Sequence, residues 1–151
     1  MFKHLLITLI VIFLAAFAQA EKFERVIDVE VGEKLTVDMT TGGSIDVEGW
    51  NKNQVKVELN TRHGKISEHD IDVDHDSRGV RVEVRENGRG NRSGGMELHV
   101  YVPNKFDLDL ETMGGSINIS NIEGEIEGQT MGGPLELDGL SGDITLTTMG
   151  G

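Results

Sequence analysis

The sequence predicts an all-β chain: a β-solenoid-like stack, either a single-stranded β-helix or a layered β-repeat, with an N-terminal part rich in hairpins. Three observations carry this reading. After position 20 the apolar residues alternate with polar ones instead of recurring at helical spacing. Twenty glycines stand against two prolines and seven aromatics, a composition of many tight turns between short aliphatic segments. The word TMGG occurs at Thr112, Thr130 and Thr148, at a constant interval of 18 residues.

The elements follow in order. Residues 1–20, MFKHLLITLIVIFLAAFAQA, carry Lys3, an apolar stretch from Leu5 to Phe17 and an AxA box at Ala18 and Ala20. That is the order of a secretory signal peptide, and the apolar stretch is shorter than the roughly 20 residues that span a bilayer. Cleavage is expected before Glu21, leaving residues 21–151 as one β-repeat domain in the periplasm, outside the cell or on its surface. No cysteine is present for lipid attachment or disulfides. Losing Lys3 leaves 13 basic residues against 26 acidic ones, a net charge of −13. Phosphates would be repelled, so nucleic acid is an unsuitable partner, and no membrane insertion is expected once the leader is gone.

Period-two alternation marks strands at Ile27, Val29 and Val31, at Leu35 and Val37, at Val55, Val57 and Leu59, and at Leu98, Val100 and Val102. One hairpin can be drawn residue by residue. The stretch Asp76-Ser77-Arg78-Gly79 has the Asp and Gly ends of a type I turn. Folding there sets Val73 against Val82 and Ile71 against Val84, with Asp74 opposite Arg81 and Asp70 opposite Arg85. Asp72 falls opposite Glu83, with Arg81 and Arg85 on the diagonals.

The repeat aligns Ile117, Ile119, Ile122 and Ile126 with Leu135, Leu137, Leu140 and Ile144. An earlier degenerate copy from Gly42 fills the same slots with Ile45, Val47, Trp50 and Val55. Four inward aliphatics gain at most roughly 1.5 to 3 kcal/mol each, whereas ordering 18 residues costs about 1 to 2 kcal/mol apiece. One unit cannot stand alone, so units must stack at strand spacing. Gly114, Gly132 and Gly150 are expected at equivalent corners with positive φ, and Met113, Met131 and Met149 in a ladder beside them, read as packing filler ahead of a metal-binding thioether stripe. The unit opened at Thr148 is not built within the chain. The unpaired strand groups of that last rung suit self-association or strand addition.

The stretches SIDVEGWNKNQVKVEL and LHVYVPNKFDLDLETMGGSINI, followed by the tandem TMGG units, resemble the bacterial β-strand-repeat family known as "putative adhesin" over residues 25–151. The resemblance implies an exported, non-catalytic, β-solenoid-like domain and brings no catalytic residue with it.

The sequence supplies no catalytic, cofactor-binding or metal-ligating candidate of its own. The run from Asp72 to Glu83 has acids at four calcium-loop positions, but Ser77 replaces the required glycine and strands flank it. The glycine-rich basic stretch Gly88–Gly95 lacks a phosphate-loop ending and a following helix. His63, His69, His75 and His99 have no paired-ligand spacing. There is no GxSxG and no cysteine nucleophile. The expected function is therefore a non-catalytic, exported interaction domain, adhesin-like or envelope-associated, meeting a protein or glycan at the cell envelope. A calcium-stabilised or carbohydrate-active β-helix is the alternative.

Overall fold

A computed structural model describes residues 22–62, 64, 66–67, 69–85 and 95–151. Residues 1–20, read from the sequence as a signal peptide, lie outside the described residues, as do His63 and most of the Gly88–Gly95 stretch. Twelve strands and no helix occur among the described residues: β1 (Lys22–Asp28), β2 (Lys34–Met39), β3 (Ser44–Trp50), β4 (Gln54–Thr61), β5 (Ile71–Asp76), β6 (Gly79–Val84), β7 (Met96–Pro103), β8 (Asp107–Thr112), β9 (Ile117–Ser120), β10 (Ile126–Thr130), β11 (Leu135–Asp138) and β12 (Ile144–Thr148). They form two mixed six-stranded sheets, ordered β1-β4-β7-β3-β9-β11 and β12-β10-β8-β2-β6-β5. No described helix is long and apolar enough to cross a membrane.

Alternation decides which side chains face inward. In β2, β4 and β7 every second residue is buried, and the two inner faces supply one cluster that includes Leu35, Ile45, Leu59, Leu98, Leu108, Ile117 and Ile126. In the second half of the chain the strands stack in parallel at 18-residue steps. Ile126 lies between Leu108 and Ile144, and Ile117 lies between Ile45 and Leu135. The repeat columns read from the sequence are thus real for Ile45, Val47, Ile117, Ile119, Leu135 and Leu137.

The early copy departs from its alignment after Val47. Trp50 is level with Pro103 at the end of β3, and Val55 lies on β4 opposite Ile27. The strand neighbour of Ile126 on that side is Leu108. The chain reaches β4 by passing over β7, so β3 and β4 never pair. The N-terminal part is accordingly less hairpin-rich than expected: β2 sits in parallel between β6 and β8, and β3 between β7 and β9. Val31 belongs to the turn after β1 and is 53% exposed.

The hairpin of β5 and β6 has the expected register, with Ile71 opposite Val84, Val73 opposite Val82 and Asp74 opposite Arg81. Its ion pairs differ. Arg81 and Arg85 both turn to Glu83, and Arg78 pairs with Asp76. A long guanidinium arm on an outer sheet face reaches the acid two residues along its own side, which relieves the Asp72–Glu83 opposition at its Glu83 end. Asp70 stands opposite Arg85 as expected, its main-chain carbonyl accepting the Arg85 amide at 2.8 Å, but its buried carboxylate accepts a 2.7 Å hydrogen bond from the Ser67 amide while the Arg85 guanidinium goes to Glu83.

The TMGG corner has a physical explanation that the sequence reading placed on the wrong glycine. Gly114 and Gly132 have open space where a side chain would stand, and neither they nor Gly150 adopt positive φ. The second glycine is the constrained one. Gly115 has φ 144°, and a Cβ there would overlap the Gly43 carbonyl; at Gly133 it would overlap the Gly115 carbonyl. The threonine closes the motif. Thr112, Thr130 and Thr148 donate their hydroxyls to the carbonyls of Gly43, Gly115 and Gly133 at 3.0, 2.9 and 2.8 Å. Thr112 and Thr130 are buried, so each hydroxyl satisfies itself while clamping one layer to the last, for about 0.5–1.5 kcal/mol net per bond.

Candidate binding surface on the outer face of the first sheet

The pleat that buries Val47, Val100 and Ile119 turns their neighbours outward, and pairing in register assembles those neighbours into rows. One row runs Glu58, His99, Asp46, Asn118, Glu136 across β4, β7, β3, β9 and β11. The next runs Lys56, Tyr101, Glu48, Ser120, Asp138 across the same strands. Between them lies a shallow groove of about 330 Å³, floored by the short side chains Asn118 and Ser120 of β9 and flanked by Asp46, Glu48, Glu136 and Asp138.

His99 lines the groove and is the near end of a stack of rings that continues beside it. Tyr101 stacks on Trp50 at 5.2 Å and on His99 at 5.6 Å, and Lys52 closes the outer face of Trp50 at 4.6 Å. The Trp50 indole N–H donates to the Gln54 carbonyl at 2.7 Å, fixing the ring that begins the stack. Such packing holds rigid, amphipathic ring edges at the surface at small entropic cost. Beyond the stack Lys56 binds Glu58 at 2.7 Å, with Lys22 at 3.2 Å. These ammonium groups, Lys56 first, hold the Glu58 carboxyl below the usual carboxylate range.

The four carboxylates that flank the groove make no ion pair among the described residues. Asn118 donates its amide N–H to Asp46, while its Oδ1 is buried without a partner. The groove therefore offers acceptors in excess of donors, a surface suited to a ligand rich in N–H or O–H groups.

Residues singled out in the sequence do not converge elsewhere. His99 ends the ring stack, His75 faces Glu33 at 2.9 Å on the opposite sheet, and His69 lies in the turn before β5. The run Asp72–Glu83 is the β5–β6 hairpin, with Asp76 and Glu83 engaged by arginines. Among the described residues no group of three or more His, Asp or Glu is placed to hold a metal ion. The groove itself escaped the sequence reading, because its rows join residues up to 90 positions apart, such as Asp46 and Glu136.

Neither protein-family models nor curated proteins match the sequence. A solved structure shares the fold. A putative cell adhesion protein from Clostridium sporogenes aligns over 84% of this chain and 68% of its own, with 15% identity and a TM-score of 0.53. A putative adhesin from Bacteroides fragilis aligns over 85% of this chain and 96% of its own, with 9% identity and a TM-score of 0.39.

Proposed function

We propose that the chain is an exported, adhesin-like interaction domain that acts by binding, using a β-solenoid-like scaffold to present the outer face of the first sheet to a protein or glycan of the cell envelope. The observation that carries this reading is the groove over β9, where four carboxylates without an ion-pair partner among the described residues stand on in-register strands beside His99 and the ring stack that it ends. The likeness to the Clostridium sporogenes putative cell adhesion protein agrees with such a role, and the leader-like residues 1–20 agree with export.

The test is retention of labelled protein on isolated cell envelopes. The double variant Asp46→Asn, Glu136→Gln should bind at least about tenfold more weakly, the loss expected from removing two central contacts, with an unchanged melting temperature. Equal retention by variant and parent would defeat the reading.

Self-association through β11 and β12 belongs to the same proposal. Leu137 and Ile144 occupy inward columns on those strands yet are 47% and 41% exposed, leaving apolar surface for a second copy to cover. Sedimentation across a concentration series should show a dimer that Leu137→Asp abolishes, and a monomer at every concentration would remove this part.

A further inference from the structure

We propose that Met113, Met131 and Met149 form a thioether ladder that binds a soft monovalent cation, Cu(I) in particular. The site is on the TMGG corner, away from the groove, and its test stands independently of the adhesin-like reading.

The placement comes first. The Met131 amide donates to the Thr112 carbonyl at 3.3 Å and the Met149 amide to the Thr130 carbonyl at 3.1 Å, extending the parallel ladder one residue past β10 and β12. The Met113 amide does the same to Met39 at 3.4 Å. The three methionines therefore occupy the same position in successive layers, about 4.8 Å apart.

Packing does not account for them. Met39 and Met96 are core residues, 0% and 4% exposed, whereas Met113, Met131 and Met149 are 54%, 43% and 66% exposed. The reading of these side chains as filler fails on that contrast. Three large apolar side chains turned to water in three consecutive layers, none of them packed against the core, are a repeated feature that burial does not explain.

The chemistry then selects the ligand. A thioether is a neutral, soft, polarisable donor that prefers Cu(I) to the hard cations taken by carboxylates. Metal–sulfur bonds of about 2.3 Å, the length met at zinc thiolates, place two sulfurs on opposite sides of one ion about 4.6 Å apart, close to a single layer step. Three rotatable bonds let Met113 and Met149 both lean toward Met131. Gln129 Nε2 lies 3.9 Å from the Met131 sulfur and would release it when the ion enters. The acidic chain, at a formal charge of −12, raises the local concentration of any cation. The ion stays Cu(I) on binding, so no oxidant or reductant takes part.

Anaerobic titration of the intact protein with Cu(I), in competition with a chromophoric Cu(I) chelator, reads the affinity. Expected is one ion per chain, held about 100-fold or more tighter than by free methionine, the gain from presenting the donors together. Ag(I), which does not change oxidation state, should shift the methyl resonances of Met113, Met131 and Met149 and leave those of Met39 and Met96 in place. Met131→Leu keeps the shape of an exposed side chain and should lower the affinity at least about tenfold without moving the melting temperature. Affinity no better than that of free methionine, an unchanged affinity in Met131→Leu, or methyl shifts outside the ladder would each overturn the proposal.

Discussion

Ile119→Asp is expected to unfold the domain under ordinary conditions, whereas Glu136→Gln on the neighbouring strand should leave its stability within about 0.5 kcal/mol, as exposed substitutions usually do. Ile119 is 2% exposed and lies in an inward column between Val47 and Leu137. A carboxylate there has no cation and no donor facing it, and burying one unpaired costs several kcal/mol. A domain of this size has about 5–15 kcal/mol in total. Glu136 stands on the outer face at the edge of the groove, where losing a charge removes no packing. Asn118, the adjacent outer residue, is not a neutral comparison, because its amide is bonded to Asp46 and an Asp there would set two like charges side by side. Urea denaturation reads both variants, and midpoints within error of the parent for Ile119→Asp would refute the inward assignment.

Gly115→Ala should be among the most damaging added methyls in the protein, and Gly114→Ala among the most harmless, although the two positions adjoin. At Gly115 the backbone has a φ of 144° and an added Cβ would collide with the Gly43 carbonyl. That obstacle is main chain and cannot rotate aside, so the layers must part and the Thr130 hydroxyl loses its acceptor. Overpacking and strain together are worth about 1–3 kcal/mol or more. Gly133→Ala meets the Gly115 carbonyl in the next layer and should behave similarly, while Gly132→Ala meets nothing within 4 Å. Thermal melts of the four variants should fall into two pairs; four equal melts would show that the corner is looser than its geometry.

What the sequence made legible was decided by how local each feature is. Alternation names the face of every residue, so Leu35, Val57 and Val100 could be placed inside from their spacing alone. A hairpin closes over four residues, which is why the register of Ile71 on Val84 could be written down in advance. Tandem units carry their own register, which placed Ile117 beside Leu135. Alternation does not name the neighbouring strand, and there the reading ran out. Nothing near Val55 says that β4 will lie against β7, and nothing near Leu35 says that β2 will enter between β6 and β8. The groove inherits that limit, since Asp46, His99 and Asn118 come from three separate crossings. The corner was visible as a word but not as a mechanism. Two adjacent glycines look alike in a sequence, and only the stacked carbonyls distinguish them.

The clamp between threonine and glycine also fixes a grammar for change in the gene. Because each Thr-Met-Gly-Gly corner engages the corner before it in the same way, an in-frame duplication of one whole unit inserts a layer whose two surfaces already match its neighbours. Length can then grow or shrink by whole units without any compensating substitution. Loss or gain of a single codon between two corners has the opposite fate: it turns the aliphatics outward and carries the hydroxyl past its carbonyl. Lineages of such chains should therefore differ by multiples of 18 residues far more readily than by one or two.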